Sequence, residues 1–108
     1  MTTYTLWTNL DSGFRRAYAG GDRVVRGFFS QVDLDDITDD LVMCEEIWQR
    51  HNRDNRPDGH TAPSLSVGDV IEFPHASYSV SAMGFDTVQM TQDGRITDRS
   101  WAECLDRS

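Results

Sequence analysis

Hydrophobic and polar positions alternate from the start of the chain. Tyr4, Leu6, Thr8 and Leu10 fall on one side of an extended segment, and Thr5, Trp7 and Asn9 on the other. This period of two predicts a strand over residues 4–10. Asp11-Ser12-Gly13 is turn chemistry. Residues 14–18 suit a strand or a short helix, and Gly20-Gly21 breaks the chain before Val24, Val25, Phe28 and Phe29, so a hairpin around the two glycines is expected. The period then changes. From Asp33 to Arg53 the apolar residues Ile37, Leu41, Cys44 and Trp48 recur every three or four positions, one face of a helix, and Val42, Met43 and Ile47 widen it. Asp33, Asp35 or Asp36 is the expected cap. Acids toward the start and Arg50, His51 and Arg53 at the end suit the helix dipole.

Residues 52–63 carry Asn, Asp, Gly and Pro at a density that predicts a long loop. Three short strands are expected after it, over residues 67–73, 78–83 and 85–91, as a meander. Gln92-Asp93-Gly94-Arg95 is a turn, Ile96 starts a last strand, and Ser100 to Glu103 has the capping-box spacing of a short terminal helix. The expected fold is α+β: an antiparallel sheet of five or six strands, one long helix over about 33–53 packed on one face, and a short C-terminal helix. One helix covers one face, so an apolar opposite face would leave room for a homodimer.

Composition narrows the function classes. At 108 residues the chain has the size of a single domain, and its 38% hydrophobic content is enough for a modest core. No apolar run reaches the length of a membrane span, and the N-terminus has no signal-peptide pattern, so a cytoplasmic protein is expected. Cys44 and Cys104 then read as reduced thiols rather than a disulfide. The net charge of −8 argues against a basic nucleic-acid surface and for solubility or a basic partner. The ten bases are all arginine. Those at 15, 16, 23 and 26, beside Phe14 and Tyr18, are the only cluster that could contact nucleic acid.

Catalytic and metal patterns fail one by one. An EF-hand counted from Asp33 would need an oxygen ligand, Gly and Glu where the chain has Ile37, Thr38 and Cys44. His51, His60 and His75 lack zinc spacing with each other or with the cysteines. No phosphate-binding glycine loop and no Gly-x-Ser-x-Gly elbow occurs. No catalytic residue, metal ligand or cofactor is therefore assigned. An enzyme using His60 or Ser64 in a pocket, and a small-barrel nucleic-acid module, stand as alternatives.

The most distinctive stretch is Ser64-Leu65-Ser66-Val67-Gly68-Asp69-Val70-Ile71. Gly68 would supply a positive φ or a close backbone approach. Asp69, Ser64 and Ser66 would accept hydrogen bonds from turn amides. Preceded by Arg56-Pro57 and Gly59-His60, and followed by Tyr78 and Gly84-Phe85, the stretch resembles the YodL-like family of small proteins of phages, plasmids and other mobile elements. The resemblance covers about residues 53–91, and Thr61-Ala62-Pro63 is similar to variants in actinobacterial phages. It implies an accessory protein with no catalytic residues to carry over, acting on a host process by binding and modulating a host protein. Its structural motif would be Ser64, Ser66, Gly68, Asp69, Gly84 and Phe85. The expected interaction surface is the acidic start of the helix (Asp36, Asp39, Asp40) together with Arg56 and His60 of the loop.

Overall fold

The computed structural model describes residues 2–13, 15–32, 37–52 and 65–97. They form β1 (Thr2–Asn9), β2 (Val24–Val32), α1 (Asp40–His51), β3 (Val70–Glu72), β4 (Ser77–Ser81), β5 (Gly84–Val88), a 3-10 turn (Gln92–Gly94) and β6 (Arg95–Ile96). The strands make one six-stranded sheet in the order β5-β4-β3-β1-β2-β6. Every pairing is antiparallel except β6 on β2, which is parallel. The fold is thus α+β, as the alternation along the chain predicts.

Alternation along β1 feeds two cores. Tyr4 and Leu6 point to the helix face, where Met43, Cys44 and Ile47 of α1 pack on them together with Leu65, Ile71 and Phe73. Trp7 points to the opposite face and joins Val24, Val70, Tyr18 and Met90. On that second face Tyr18 of the β1–β2 connection and Met90 beyond β5 therefore cover Trp7, Val24 and Val70 from within the chain. Between Leu6 and Trp7 the β1–β2 register shifts, with Leu6 opposite Phe28 and Trp7 opposite Arg26. Gly27 is the extra residue, and glycine tolerates such a bulge.

Two expectations need correction. The hairpin arms are β1 and β2, not segments flanking Gly20-Gly21. Residues 10–23 are their connection, and residues 15–18 form no strand. Hydrogen bonds from Leu10 N–H to Arg23 C=O (2.9 Å) and from Asp22 N–H to Ala19 C=O (3.0 Å) shape it. The helix begins at Asp40 rather than Asp33, capped by Asp39, whose side chain accepts from Leu41 N–H at 2.9 Å. Asp competes with the helix for backbone hydrogen bonds, so Asp39, in extended conformation, takes the cap and Asp40 opens the first turn. Of the expected caps, Asp33, Asp35 and Asp36 lie outside the described residues, as do the loop over 53–63 and the terminal helix near Ser100.

The buried face of α1 also differs from the expected stripe. Met43, Cys44, Ile47 and His51 are buried, whereas Leu41 and Trp48 are 49% and 36% exposed. Both stripes contain Cys44, so periodicity alone leaves the rotation of the helix open. Its first turn decides the rotation. Asp40 accepts hydrogen bonds from Tyr78 Oη (2.7 Å) on β4 and from His75 Nε2 (3.0 Å). At the other end His51, buried to 1% exposure, meets the Tyr4 hydroxyl through Nε2 at 3.0 Å. Polar anchors at both ends turn the 40–44–47–51 face inward and leave Leu41, Glu45 and Trp48 on the flank.

Candidate binding site

The Ser66-Val67-Gly68-Asp69 segment is the joint between the two halves of the sheet. Asp69 is 2% exposed. Its carboxylate accepts from Asn9 N–H at 2.9 Å and from Ser66 N–H at 3.0 Å, which binds the end of β1 to the approach of β3. Gly68 has φ +99°, and a Cβ there would collide with the Ser12 side chain. Both expectations for this stretch, the positive φ and the acid on turn amides, hold in the structure. Asn9 completes the joint. Its Nδ2 donates to Gly68 C=O (3.0 Å) and Asp22 Oδ2 (3.1 Å), while its Oδ1 accepts from Asp11 and Ser12 N–H (2.8 and 3.0 Å). Arg16 closes the far side with a two-pronged bond to Asp22 at 2.7 and 2.9 Å.

Electrostatics separate these two acids. Burial pushes the Asp69 carboxyl up to about 7, against the pull of the two backbone donors. The Arg16 guanidinium holds Asp22 far below the usual carboxylate range. Arg23 likewise grips Asp11, at 2.8 Å, and holds its carboxyl below its ordinary value. Two of the four arginines in the N-terminal cluster are thus paired with acids, which lowers the positive potential a nucleic acid would need.

Over the joint, between α1 and the β4–β5 hairpin, lies an open groove of about 530 Å³. The helix supplies Glu45 and Trp48, the segment before β3 supplies Leu65, Ser66 and Val67, and the hairpin supplies Val80, Ala82, Gly84 and Phe85. Asn52, the C-cap residue of α1, fixes one wall. Its side chain donates to Leu65 C=O (3.1 Å) and accepts from Leu65 N–H (2.7 Å), as a neighbouring strand would. Ala82 of the two-residue turn Ala82-Met83 lines the outer end of the groove, and the neighbouring Met83 is 97% exposed. Gly84, at φ +143°, opens β5 after the turn, and Phe85 follows it on the helix face opposite Val80.

The expected site residues are scattered by this geometry. Ser66, Gly84 and Phe85 line the groove, and Gly68 and Asp69 hold the segment behind it. Asp39 caps the helix and Asp40 is engaged by Tyr78 and His75, which hold its carboxyl below the ordinary value. The same bond pushes the Tyr78 phenol up to about 12. Asp36, Arg56, His60 and Ser64 lie outside the described residues. Sequence reasoning placed Trp48 in the core and gave Met83 no role. A signal was present for Trp48: the stripe Asp40, Cys44, Ile47, His51 competes with the purely apolar one. Cys44 is buried and free, its thiol pushed up to about 12 by burial, so it is a packing residue.

Among the described residues there is no cluster of His, Cys, Asp or Glu that could hold a metal ion, and no helix long and apolar enough to cross a membrane. No family model, no curated protein and no solved structure matches this chain.

Proposed function

We propose that this chain is a non-enzymatic accessory protein of a phage or other mobile element, which binds and modulates a protein of its bacterial host, in the cytoplasm, through the groove between α1 and the β4–β5 hairpin. The observation that carries this reading is the set of apolar side chains left in water around one concavity. Trp48 is 36% exposed on its wall, Met83 is 97% exposed in the turn beside the lining residue Ala82, and Leu41, 49% exposed, extends the same flank of the helix. Solvated tryptophan and methionine beside a half-buried Phe85 are the residue types that anchor protein interfaces. The resemblance of residues 64–71 to the YodL-like family supports the biological setting. The charge of −8 and Glu45 on the groove wall favour a partner surface that is apolar and basic.

The test is affinity capture from nuclease-treated bacterial lysate with the wild-type chain and with Trp48→Ala and Met83→Glu variants. Both substitutions replace solvated side chains, so folding should survive. The expected result is one protein, retained near stoichiometry by the wild type and lost with either variant. Equal retention by all three chains, or nothing above background, would overturn the reading.

A further inference from the structure

We propose that the partner adds an extended segment to the sheet along the outer edge of β5, and that this segment reads apolar, basic, apolar at the residues facing Thr87, Asp86 and Phe85. The inference rests on the groove reading above and specifies the chemistry of its occupant.

The backbone argument starts at Val80. Its N–H donates to Asp69 C=O and its C=O accepts from Gly68 N–H, both at 2.9 Å, so both polar groups of Val80 point toward the β3 side. In an antiparallel ladder the residue across from such a position bonds neither way to its partner. Phe85 is that residue, since the register places it opposite Val80, and Thr87 is the next of the same kind, opposite Tyr78. The N–H and C=O of Phe85 and Thr87 therefore point outward from β5. In the sheet order β5 is terminal, and no strand among the described residues pairs with its outer side. These are the groups that strand addition uses.

Side chains set the occupant. Phe85 leans to the helix face and packs on the core at the mouth of the groove. An added strand would place its residues opposite Phe85 and Thr87 on that same face, beside Trp48 and Phe85, where apolar groups fit. Its residue opposite Asp86 would lie on the other face. Asp86 is exposed and forms no ion pair with a described residue, so it asks for Arg or Lys. Among the described residues the groove lining contains Glu45 and no base. A second copy of the chain meets the opposite situation. Pairing β5 with itself about Asp86 would set Asp86 against Asp86, in two molecules of charge −8 each. Like charges directly opposed across strands are destabilising, so the edge favours a foreign basic segment over self-association.

The test uses the full ¹⁵N-labelled chain and two capped peptides, one alternating lysine with valine and one alternating glutamate with valine. With the lysine peptide, the Phe85 and Thr87 amides should shift downfield and gain protection from hydrogen exchange, while Asp86→Lys should weaken that peptide about fivefold and favour the glutamate one, as a lost cross-strand ion pair would. Thr87→Pro removes only an outward N–H, so it should keep the folded spectrum and abolish the response. Should that variant misfold, the amide protection in the wild type still decides. A shift of the Trp48 indole without protection at Phe85 and Thr87 would overturn strand addition and leave the groove reading standing. No response to the lysine peptide, or an equal response to both, would overturn the proposal. So would shifts of the same amides with protein concentration alone, which would identify a second copy as the occupant.

Discussion

Replacing Asn9 by leucine should be among the most damaging single changes in the described part of the chain. Its side chain is 5% exposed and makes four hydrogen bonds. Leucine nearly conserves the volume, so the cost comes from polar groups left behind. Asp22 retains Arg16 and the Ala19 N–H, and the Asp11 N–H lies on an exposed residue that water can reach. The Gly68 carbonyl and the Ser12 amide belong to buried residues and lose their partner. Each buried orphan costs roughly 1–3 kcal/mol, which gives about 2–6 kcal/mol, against a total stability of about 5–15 kcal/mol for a domain of this size. Urea unfolding followed by far-ultraviolet circular dichroism should show the midpoint falling with an unchanged slope. Arg50→Ala is the control. It removes a half-exposed i,i+4 pair with Glu46 and should cost at most about 0.5 kcal/mol. A loss of less than about 1 kcal/mol for Asn9→Leu at unchanged slope would refute the view that this network joins the halves of the sheet.

Gly68→Ala should cost at least about 2 kcal/mol, because alanine at φ +99° is strained and its Cβ meets Ser12; adding Ser12→Gly should recover part of the loss in the same unfolding assay. Stability should decline as pH rises from about 4 to about 7, because Asp69 has a higher proton affinity folded (about 7) than unfolded (3.8). Its contribution is complete below the unfolded value and lost as pH climbs through the folded one. Asp22, held low by Arg16, works the other way, contributing above 3.8 and failing only in acid. Taken together, these two groups contribute most near the unfolded carboxylate value of 3.8. Asp69→Asn should flatten the decline between about 4 and about 7, and an unchanged pH profile in that variant would sink the assignment to Asp69. Asp39→Ala should cost about 1 kcal/mol through the lost helix cap, read as a lowered melting temperature.

What could be read from the sequence follows from how local the responsible physics is. The strand at Tyr4–Leu10, the meander after Val67 and the turn at Gly68-Asp69 rest on alternation, breakers and short-range hydrogen bonds, all of which neighbouring residues set. The start of α1 was obscured by several acids that could each cap it. The hairpin was misplaced because Gly20-Gly21 carries turn chemistry inside a connection whose shape depends on Arg16 and Asp22. The groove was invisible, since it requires Trp48, Leu65 and Phe85 to meet from three separate elements.

The sequence by itself determined that this is an α+β chain, that Gly68 and Asp69 organise the turn before β3, and that the motifs of metal and phosphate binding are missing. Tertiary structure decided which face of α1 is buried, because Tyr4, His75 and Tyr78 anchor it from strands and turns remote in the chain. It also decided that Tyr18 and Met90 pack on the second face of the sheet, and that β5 is its terminal strand among the described residues. Periodicity sets how many faces an element has. Only contacts between distant residues choose which face meets the core and which edge is left to a partner.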